Sequence, residues 1–222
     1  MLLCVGDSPL KLFDIIERVT RKIAPGPAPA FNEAHVVKAL ELIGKYQTVG
    51  RIKLSKEMGL GEGSTRTLLK HLKNEGVTQS SRSGIYFSGE GKKLFSDLRN
   101  QLSEGIDVPS SPLTVGAFNI AVLVRDTAQA IGSGMEQRDA AIKSGALGAT
   151  TLIFSSNKLE LPQEEENLCE SMPELHDKLV TQLNPKENDV IIVGSGENRD
   201  LAEIGAKMAA IKLLKSTSTT ND

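Results

Sequence analysis

The stretch over residues 51–87 constrains the fold of this chain more than any other, because it combines two short helical segments, a tight turn and a hairpin. Gly59-Leu60-Gly61 separates the two helices, and glycine tolerates the positive φ that a sharp turn requires. Glu75-Gly76 predicts the end of the second helix, since glycine commonly follows a helix C-terminus. We expect two short strands to follow, joined by the loop SSRSG at 80–84.

The second helix, predicted from about Glu62 to Glu75, has two faces of different chemistry. Its buried stripe recurs at i, i+3, i+4 and i+7 and comprises Thr65, Leu68, Leu69 and Leu72. Arg66, Lys70 and Lys73 follow the same spacing on the other side. A basic helix face on its own is more often simply solvated. Its occurrence together with the turn and the hairpin favours contact with DNA.

In the order helix, GLGEGSTRTLLKHLKNEG and SSRSG, residues 34–100 resemble the winged helix-turn-helix domains of bacterial and archaeal transcription regulators. The resemblance implies that the second helix is the recognition helix, which lies in the major groove of duplex DNA. The DNA contacts that it implies are Ser64, Arg66, Thr67, Lys70, Lys73 and, on the wing, Arg82. The alternative is a winged domain that binds a protein or only holds a dimer together.

The net charge of the chain is −2, but its two halves carry opposite charges. Residues 1–108 hold 16 Lys and Arg against 12 Asp and Glu, a net charge of +4. Residues 109–222 hold 10 against 16, a net charge of −6. A polyanion would be attracted to the first half and repelled by the second, which favours a nucleic-acid-binding domain at the N-terminal end.

Helical patterns flank the central stretch. An apolar stripe over 9–23 predicts a first helix behind the candidate cap Ser8, and Asn32 and Ser88 are candidate N-caps of two further helices. The proline-rich segment 24–29 predicts a stiff connector. The stripe of the first helix needs a partner, and pairing across a homodimer is one solution.

A domain boundary is expected at 107–112, because this segment contains the proline and serine run at 109–112. We expect an N-terminal helix and connector over 1–31, a winged domain over 32–106, an α/β domain over 113–215 and a disordered tail over 216–222. Strands and helices of the second domain alternate in the order βαββαβα. The expected fold class is α+β: a winged helix-turn-helix domain followed by a small α/β sandwich with a mixed sheet.

A glycine motif occurs twice in this second domain. Its members are Gly132, Ser133, Gly134, Arg138 and Asp139 in the first copy, and Gly194, Ser195, Gly196, Asn198, Arg199 and Asp200 in the second. The first copy falls in a largely helical segment over 127–145. The second follows an apolar strand that is expected to end at Val193, so that it would begin a helix with free backbone N–H groups.

The two copies predict a pocket for a small anionic or polar effector. Its expected residues are Gly132, Ser133, Gly134, Arg138, Gly194, Ser195, Gly196, Asn198 and Arg199. Helix N-termini favour anions, and arginine binds carboxylate or phosphate by two hydrogen bonds. The alternative is that the glycines only permit tight packing of a helix on a strand, and that each neighbouring Arg and Asp form an internal salt bridge.

The whole layout, with QRDAAIKSGALGATTL and VGSGENRDLAEIGA in the second domain, resembles a group of archaeal regulators with an N-terminal winged domain. Three functions fit it: a ligand-responsive transcription factor, an enzyme or nucleotide-binding protein with an appended winged domain, and an adaptor whose second half only oligomerises. We expect the first and no enzyme, because the second half has no Ser/His/Asp order, no Cys-His pair and no complete P-loop.

Neither the two cysteines, Cys4 and Cys169, nor the three scattered histidines show metal-ligand spacing, so we expect no metal site and no cofactor. No run approaches the roughly 20 apolar residues of a membrane span. The first ten residues lack the basic segment of a signal peptide. We therefore expect a cytoplasmic protein whose partners are duplex DNA, a small effector and a second copy of itself, with no membrane contact.

Overall fold

The computed structural model describes residues 9–21, 29–163 and 171–219. The chain divides into two compact units, Met1–Leu98 and Arg99–Asp222. The boundary expected at 107–112 differs from this division, because residues 106–108 form a strand that pairs within the second unit. Ser8, Cys4, Cys169 and nearly all of the connector lie outside the described residues.

The N-terminal unit is made of helices and one hairpin. Its elements are α1 Pro9–Thr20, α2 Glu33–Tyr46, α3 Arg51–Met58, α4 Glu62–Asn74, β1 Thr78–Ser80, β2 Ile85–Phe87 and α5 Gly89–Gln101, the last of which ends beyond Leu98. The two helices, turn and hairpin that the sequence predicts over 51–87 are confirmed.

Two of the predicted helix caps are confirmed. Asn32 precedes α2, and its side chain accepts a hydrogen bond from the His35 backbone N–H at 3.3 Å. The His35 ring returns the contact to the Asn32 backbone N–H at 3.2 Å, which completes a capping box. At the start of α5, the hydroxyl of Ser88 accepts from the Gly91 N–H at 2.9 Å. Each cap fixes the residue at which its helix begins, which the spacing of apolar residues alone does not determine.

The apolar stripe of α1 packs within its own unit. Leu12, Ile16 and Val19 are buried, and α1 contacts α2 and α4. Arg18 extends this contact through an ion pair with Glu75, 2.9 Å from nitrogen to oxygen. The suggestion that this stripe is free to pair across a dimer is therefore wrong, since the same chain already covers it.

The C-terminal unit is a five-stranded sheet with helices. Its elements are β3 Ile106–Val108, β4 Phe118–Val124, a 3₁₀ turn Ala128–Ala130, α6 Met135–Lys143, β5 Gly148–Ser155, β6 Lys158–Glu160, α7 Pro173–Leu183, β7 Val190–Gly196 and α8 Arg199–Thr219. The strand order is β3-β4-β7-β5-β6. The α+β class is confirmed, and β3 adds a strand that the sequence does not predict.

Every ladder of the five-stranded sheet is antiparallel, so the prediction of a mixed sheet is corrected. Strands β4 and β5 run in the same direction, as expected for two strands joined through a helix. However, β7 inserts between them and runs opposite to both. The helix-linked strands are therefore not neighbours, and no parallel pair forms among the described residues.

Side chains alternate between the two faces of the central strands. Leu123, Leu152 and Ile191 lie on one face and form a core with Leu175 and Leu179 of α7. The other face carries α6 and α8, which contact β4, β5 and β7. This arrangement leaves a helix layer on each side of the sheet.

Two boundaries in this unit differ from the sequence prediction. The helix expected over 127–145 is split into the 3₁₀ turn and α6, because Gly134 adopts a positive φ of 77° directly before α6. The tail expected to be disordered from 216 is helical through Thr219, where the description of the chain ends.

Candidate nucleic-acid interface

The turn between α3 and α4 is built from glycine and one serine. Gly59 takes a left-handed conformation with φ of 66°, and its N–H bonds to the carbonyls that end α3. The buried hydroxyl of Ser55 donates to the carbonyl oxygen of Leu60 at 2.6 Å. These contacts close the turn and set the direction in which α4 leaves it.

The face of α4 that packs inward is the predicted one. Thr65, Leu68, Leu69, His71 and Leu72 are buried. His71 also contacts α1, since its Nδ1 lies 2.7 Å from the carbonyl oxygen of Val19. The sequence pattern assigns no role to His71, yet this contact joins α4 to α1.

The opposite face of α4 carries free positive charge. Arg66, Lys70 and Lys73 are all exposed, and Thr67 lies between them, with Ser64 half-exposed near the start of the helix. Within the described residues, none of the three cations takes part in an ion pair. Because no carboxylate neutralises them, they remain available to the phosphates of a nucleic acid.

The hairpin that follows α4 is held to the α2–α3 connection. Strands β1 and β2 pair from Thr78 with Phe87 to Ser80 with Ile85. Ile85 also exchanges two backbone hydrogen bonds with Val49, at 2.9 and 3.0 Å, which adds a third short chain segment. Gly84 fits beside that segment with φ of 141°, and a Cβ there would lie 2.6 Å from the Val49 carbonyl oxygen.

The tip of the hairpin is a polar loop with one cation. The Ser81 N–H donates to the Gly84 carbonyl at 2.8 Å, and the hydroxyls of Ser81 and Ser83 are 2.7 Å apart. Arg82 lies between these serines, is exposed and makes no ion pair with any described residue. The loop therefore presents one free guanidinium at its end, in the position expected from the sequence.

A cavity of about 280 Å³ lies between α4 and the hairpin. Its lining residues are Arg51, Arg66, Leu69, Lys70, Lys73, Thr78, Gln79, Ser80 and Ile85. The structure thus brings three of the predicted DNA contacts together around one concave surface. Ser64 and Thr67 on α4 and Arg82 at the hairpin tip are not part of its lining.

Arg51 and Gln79 belong to this surface but are not predicted from the sequence. Arg51 is the first residue of α3 and follows Gly50, the N-cap of that helix. Gly50 is the only sequence feature that could have placed Arg51 at a helix start. Lys53, two residues later, is held differently: its ammonium lies 3.5 Å from the centre of the Tyr46 ring and 3.9 Å from Glu57. Arg51 therefore lines the concave surface, whereas Lys53 contacts Tyr46 and Glu57.

The second copy of the glycine motif, in the C-terminal unit, lies inside a strand. Gly194, Ser195 and Gly196 belong to β7, which runs past the expected end at Val193 and pairs with β4 on one side. A Cβ at Gly194 would clash with the backbone of Ala202 and, at 2.5 Å, with the backbone nitrogen of Ala206. These contacts favour the alternative in which the glycines allow α8 to pack closely on the sheet.

The polar residues of this second copy are also engaged. The Ser195 hydroxyl is buried and donates to Asn119 Oδ1 at 2.7 Å. Asn198 caps α8 through its Oδ1, which accepts from the Leu201 N–H at 2.9 Å. Arg199 contacts two carboxylates: its Nε lies 3.0 Å from Asp107, and its Nη1 lies 3.5 Å from Glu203. The hydrogen bond to Asp107 is the largest cause that raises the pKa of Arg199, and the charges of Glu203 and Asp200 add to it.

The first copy is more open. Gly132 has no described heavy atom within 4 Å of an added Cβ, and Gly134 precedes α6. Arg138 is half-exposed and pairs with its neighbour Asp139 at 3.2 Å. Arg138 and Arg199 thus contact different carboxylates, and among the described residues no ion pair of either arginine links the two copies of the motif into the single pocket that the sequence predicts.

None of the described helices is long and apolar enough to cross a membrane. In the same part of the chain, no cluster of three or more His, Cys, Asp or Glu is placed to hold a metal ion.

Comparison with known proteins agrees with the two-unit layout. Residues 36–102 match the family model of the CggR N-terminal DNA binding domain, and residues 115–213 match a domain of unknown function, DUF4443. A solved structure of a hypothetical protein from Pyrococcus horikoshii OT3 is similar, with 27% sequence identity and a TM-score of 0.64. That match covers 83% of this chain and 91% of the other. No curated protein matches. The chain therefore has an N-terminal DNA-binding domain followed by a C-terminal domain built on a sheet.

Proposed function

We propose that the protein is a transcriptional regulator that reads duplex DNA with α4 in the major groove and the β1–β2 hairpin beside it. The observation that carries the proposal is the concave surface between α4 and the hairpin, where Arg51, Arg66, Lys70 and Lys73 converge without carboxylate partners. The match of residues 36–102 to a DNA-binding domain supports the same function.

The positions on α4 suggest a division of roles. The N-terminal residues of a recognition helix approach base edges, so we assign base contacts to Ser64, Arg66 and Thr67. Lys70 and Lys73 lie further along the helix and, with Arg51, would bind phosphates. Arg82, at the hairpin tip, would reach a neighbouring phosphate or the minor groove.

The salt dependence of binding tests these phosphate contacts. A duplex obtained by selection from random sequence is titrated with wild type and with Lys73→Ala at several salt concentrations. Each cation that contacts a phosphate contributes about one to the slope of log affinity against log salt, so Lys73→Ala should reduce the slope by about one. Lys143→Ala, an exposed cation of the C-terminal unit, is the matched control. Equal slopes for Lys73→Ala and wild type would remove Lys73 from the interface.

We also propose that the protein acts as a homodimer through its C-terminal unit. Val115, Phe118 and Leu147 are between 43% and 67% exposed, and a contiguous exposed apolar patch is typical of a protein–protein contact. Val115 and Leu147 lie close together. A Cβ on Gly116, the neighbour of Val115, would lie 3.1 Å from the Leu147 side chain, and a Cβ on Gly148, the neighbour of Leu147, would lie 3.1 Å from the Val115 side chain. A dimer would double the DNA contacts and read two half-sites about 34 Å, or a multiple, apart.

Light scattering at micromolar concentration tests the dimer. Wild type should have twice the chain mass, and Val115→Ser with Leu147→Ser should shift the mass toward that of one chain. Ile52→Ser, which alters an equally exposed apolar residue of the N-terminal unit, should leave the mass unchanged. A wild-type monomer, with and without DNA, would contradict the proposal.

The C-terminal unit is further proposed to sense a small anionic or polar molecule that alters DNA binding. The loop of Gly132 to Gly134 supports this part, because no described residue lies within 4 Å of the Cβ position of Gly132. If the unit served only for oligomerisation, no small molecule would change the affinity for DNA. Screening anionic metabolites for an effect on DNA affinity decides between the two, with at least one active compound expected.

A further inference from the structure

A buried hydroxyl in the C-terminal unit has no hydrogen-bond partner among the described residues. Thr151, in β5, pairs with Ile192 of β7 and so lies on the face of the sheet that carries α6 and α8. The residue is only 4% exposed, and its Oγ1 makes no hydrogen bond with any described residue. Buried hydroxyls are nearly always bonded, so an orphaned one indicates a missing partner.

This hydroxyl lies beside the open end of a helix. Gly134 is the N-cap of α6, has no side chain to cap it, and its Cβ position lies 3.3 Å from Thr151 Oγ1. The first backbone bond of the helix runs from the Arg138 N–H to the Gly134 carbonyl. The three amides before Arg138 therefore have no partner within the helix.

Two charged side chains of α6, both among the described residues, are directed to partners away from this helix end. Glu136, in the first turn, forms an ion pair with Lys212 of α8 at 3.2 Å. Arg138 is turned to Asp139. What remains at the start of α6 is a set of hydrogen-bond donors, namely the hydroxyl and the backbone amides, in the region where the helix dipole is positive.

We propose that this place, formed by Thr151, the amides of residues 135–137 and the loop Gly132-Ser133-Gly134, binds an oxyanion group of a small molecule. The group is a carboxylate or a phosphate, since both supply several acceptor oxygens and no donor. Gly132 leaves room for the rest of the ligand. The inference rests on the effector-sensing part of the proposed function and replaces the pocket at β7 by a site at the start of α6.

Two adjacent threonines of β5 provide a matched test. Thr150 Oγ1 donates to the Leu113 carbonyl at 2.6 Å, whereas Thr151 Oγ1 has no described partner. Valine has nearly the same shape as threonine without the hydroxyl. Thr150→Val should therefore lower the melting temperature by removing a hydrogen bond, and Thr151→Val should leave it unchanged or raise it.

Inorganic phosphate and acetate are titrated separately into the ¹⁵N-labelled full chain, with chloride at equal ionic strength as control. We expect saturable shifts of the amide signals of Met135, Glu136 and Gln137 with at least one of the two anions. The anion that saturates at lower concentration identifies the class of ligand. Thr151→Val should weaken this binding at least about tenfold, while Thr150→Val should leave it unchanged.

The proposal is overturned if neither anion gives saturable shifts at these amides, or if Thr151→Val binds as tightly as wild type. The titration contains no DNA, so its failure leaves the DNA-binding proposal intact. Conversely, a protein that binds phosphate here without binding DNA would separate this site from the regulator function.

Discussion

Gly84 and Gly194 show how single glycines allow two backbone segments to approach each other. Gly84 lets the hairpin reach the Val49 segment, and Gly194 lets α8 approach β7. The sequence marks both positions as glycine but does not distinguish a glycine needed for its φ from one needed for space or for a ligand. That distinction depends on which backbone lies opposite, which only the assembled fold supplies.

At Gly84, we predict that substitution by alanine lowers the free energy of unfolding by roughly 1–3 kcal/mol, since the residue has a positive φ and faces a carbonyl oxygen. The measurement is urea unfolding. Gly50→Ala is the control, because Gly50 has φ of −74° and open space around its Cβ position. Similar stability of the two variants would contradict the described hairpin contact.

At Gly194, we predict that alanine destabilises the protein by at least about 1–3 kcal/mol, because its Cβ meets the backbone of α8 rather than a flexible side chain. Gly132→Ala, with free space around it, should change the stability little. If both substitutions were tolerated equally, close packing would not explain the glycines of β7, and the ligand-binding alternative would regain support there.

Among the elements, those with a strong local signal are predicted best. The stripe of α4, the Gly59 turn and the polar loop at the hairpin tip identify helix, turn and wing, because each depends on neighbours within about ten residues. Strand β3 escapes prediction, since its three residues Ile106–Val108 carry no periodic pattern. The antiparallel pairing of the sheet is also not predicted, because the insertion of β7 between β4 and β5 depends on contacts between residues far apart in the sequence.

The packing of α1 yields a prediction at this scale. Ile16 is fully buried within the N-terminal unit, so Ile16→Ala should lower the free energy of unfolding by about 2–5 kcal/mol at any protein concentration. Ile52→Ala, at a position 68% exposed, should change it by less than about 0.5 kcal/mol. A destabilisation that disappears on dilution would instead indicate that α1 packs on a second copy.

For the whole molecule, the charge changes sign near the boundary between the two structural units. The basic half, residues 1–108, carries the DNA-binding domain, and the acidic half, residues 109–222, carries every strand of the five-stranded sheet except β3. The sequence predicts Arg66, Lys70 and Lys73 as one surface because helical spacing places them on one face. It does not predict Arg51 or Gln79, because they reach that surface only through the packing of α3 and the hairpin against α4.

The central claim is that the exposed face of α4 reads DNA, and the most direct test is the affinity of a selected duplex for the double variant Arg66→Ala with Lys70→Ala. Both side chains are exposed and unpaired within the described residues, so the melting temperature should not change. The control, Lys143→Ala with Lys158→Ala, makes the same change of charge on exposed residues of the C-terminal unit. We predict that the double variant binds at least about tenfold more weakly than the control, since one base contact alone contributes about 1–3 kcal/mol. Equal affinity of the two variants would contradict the claim.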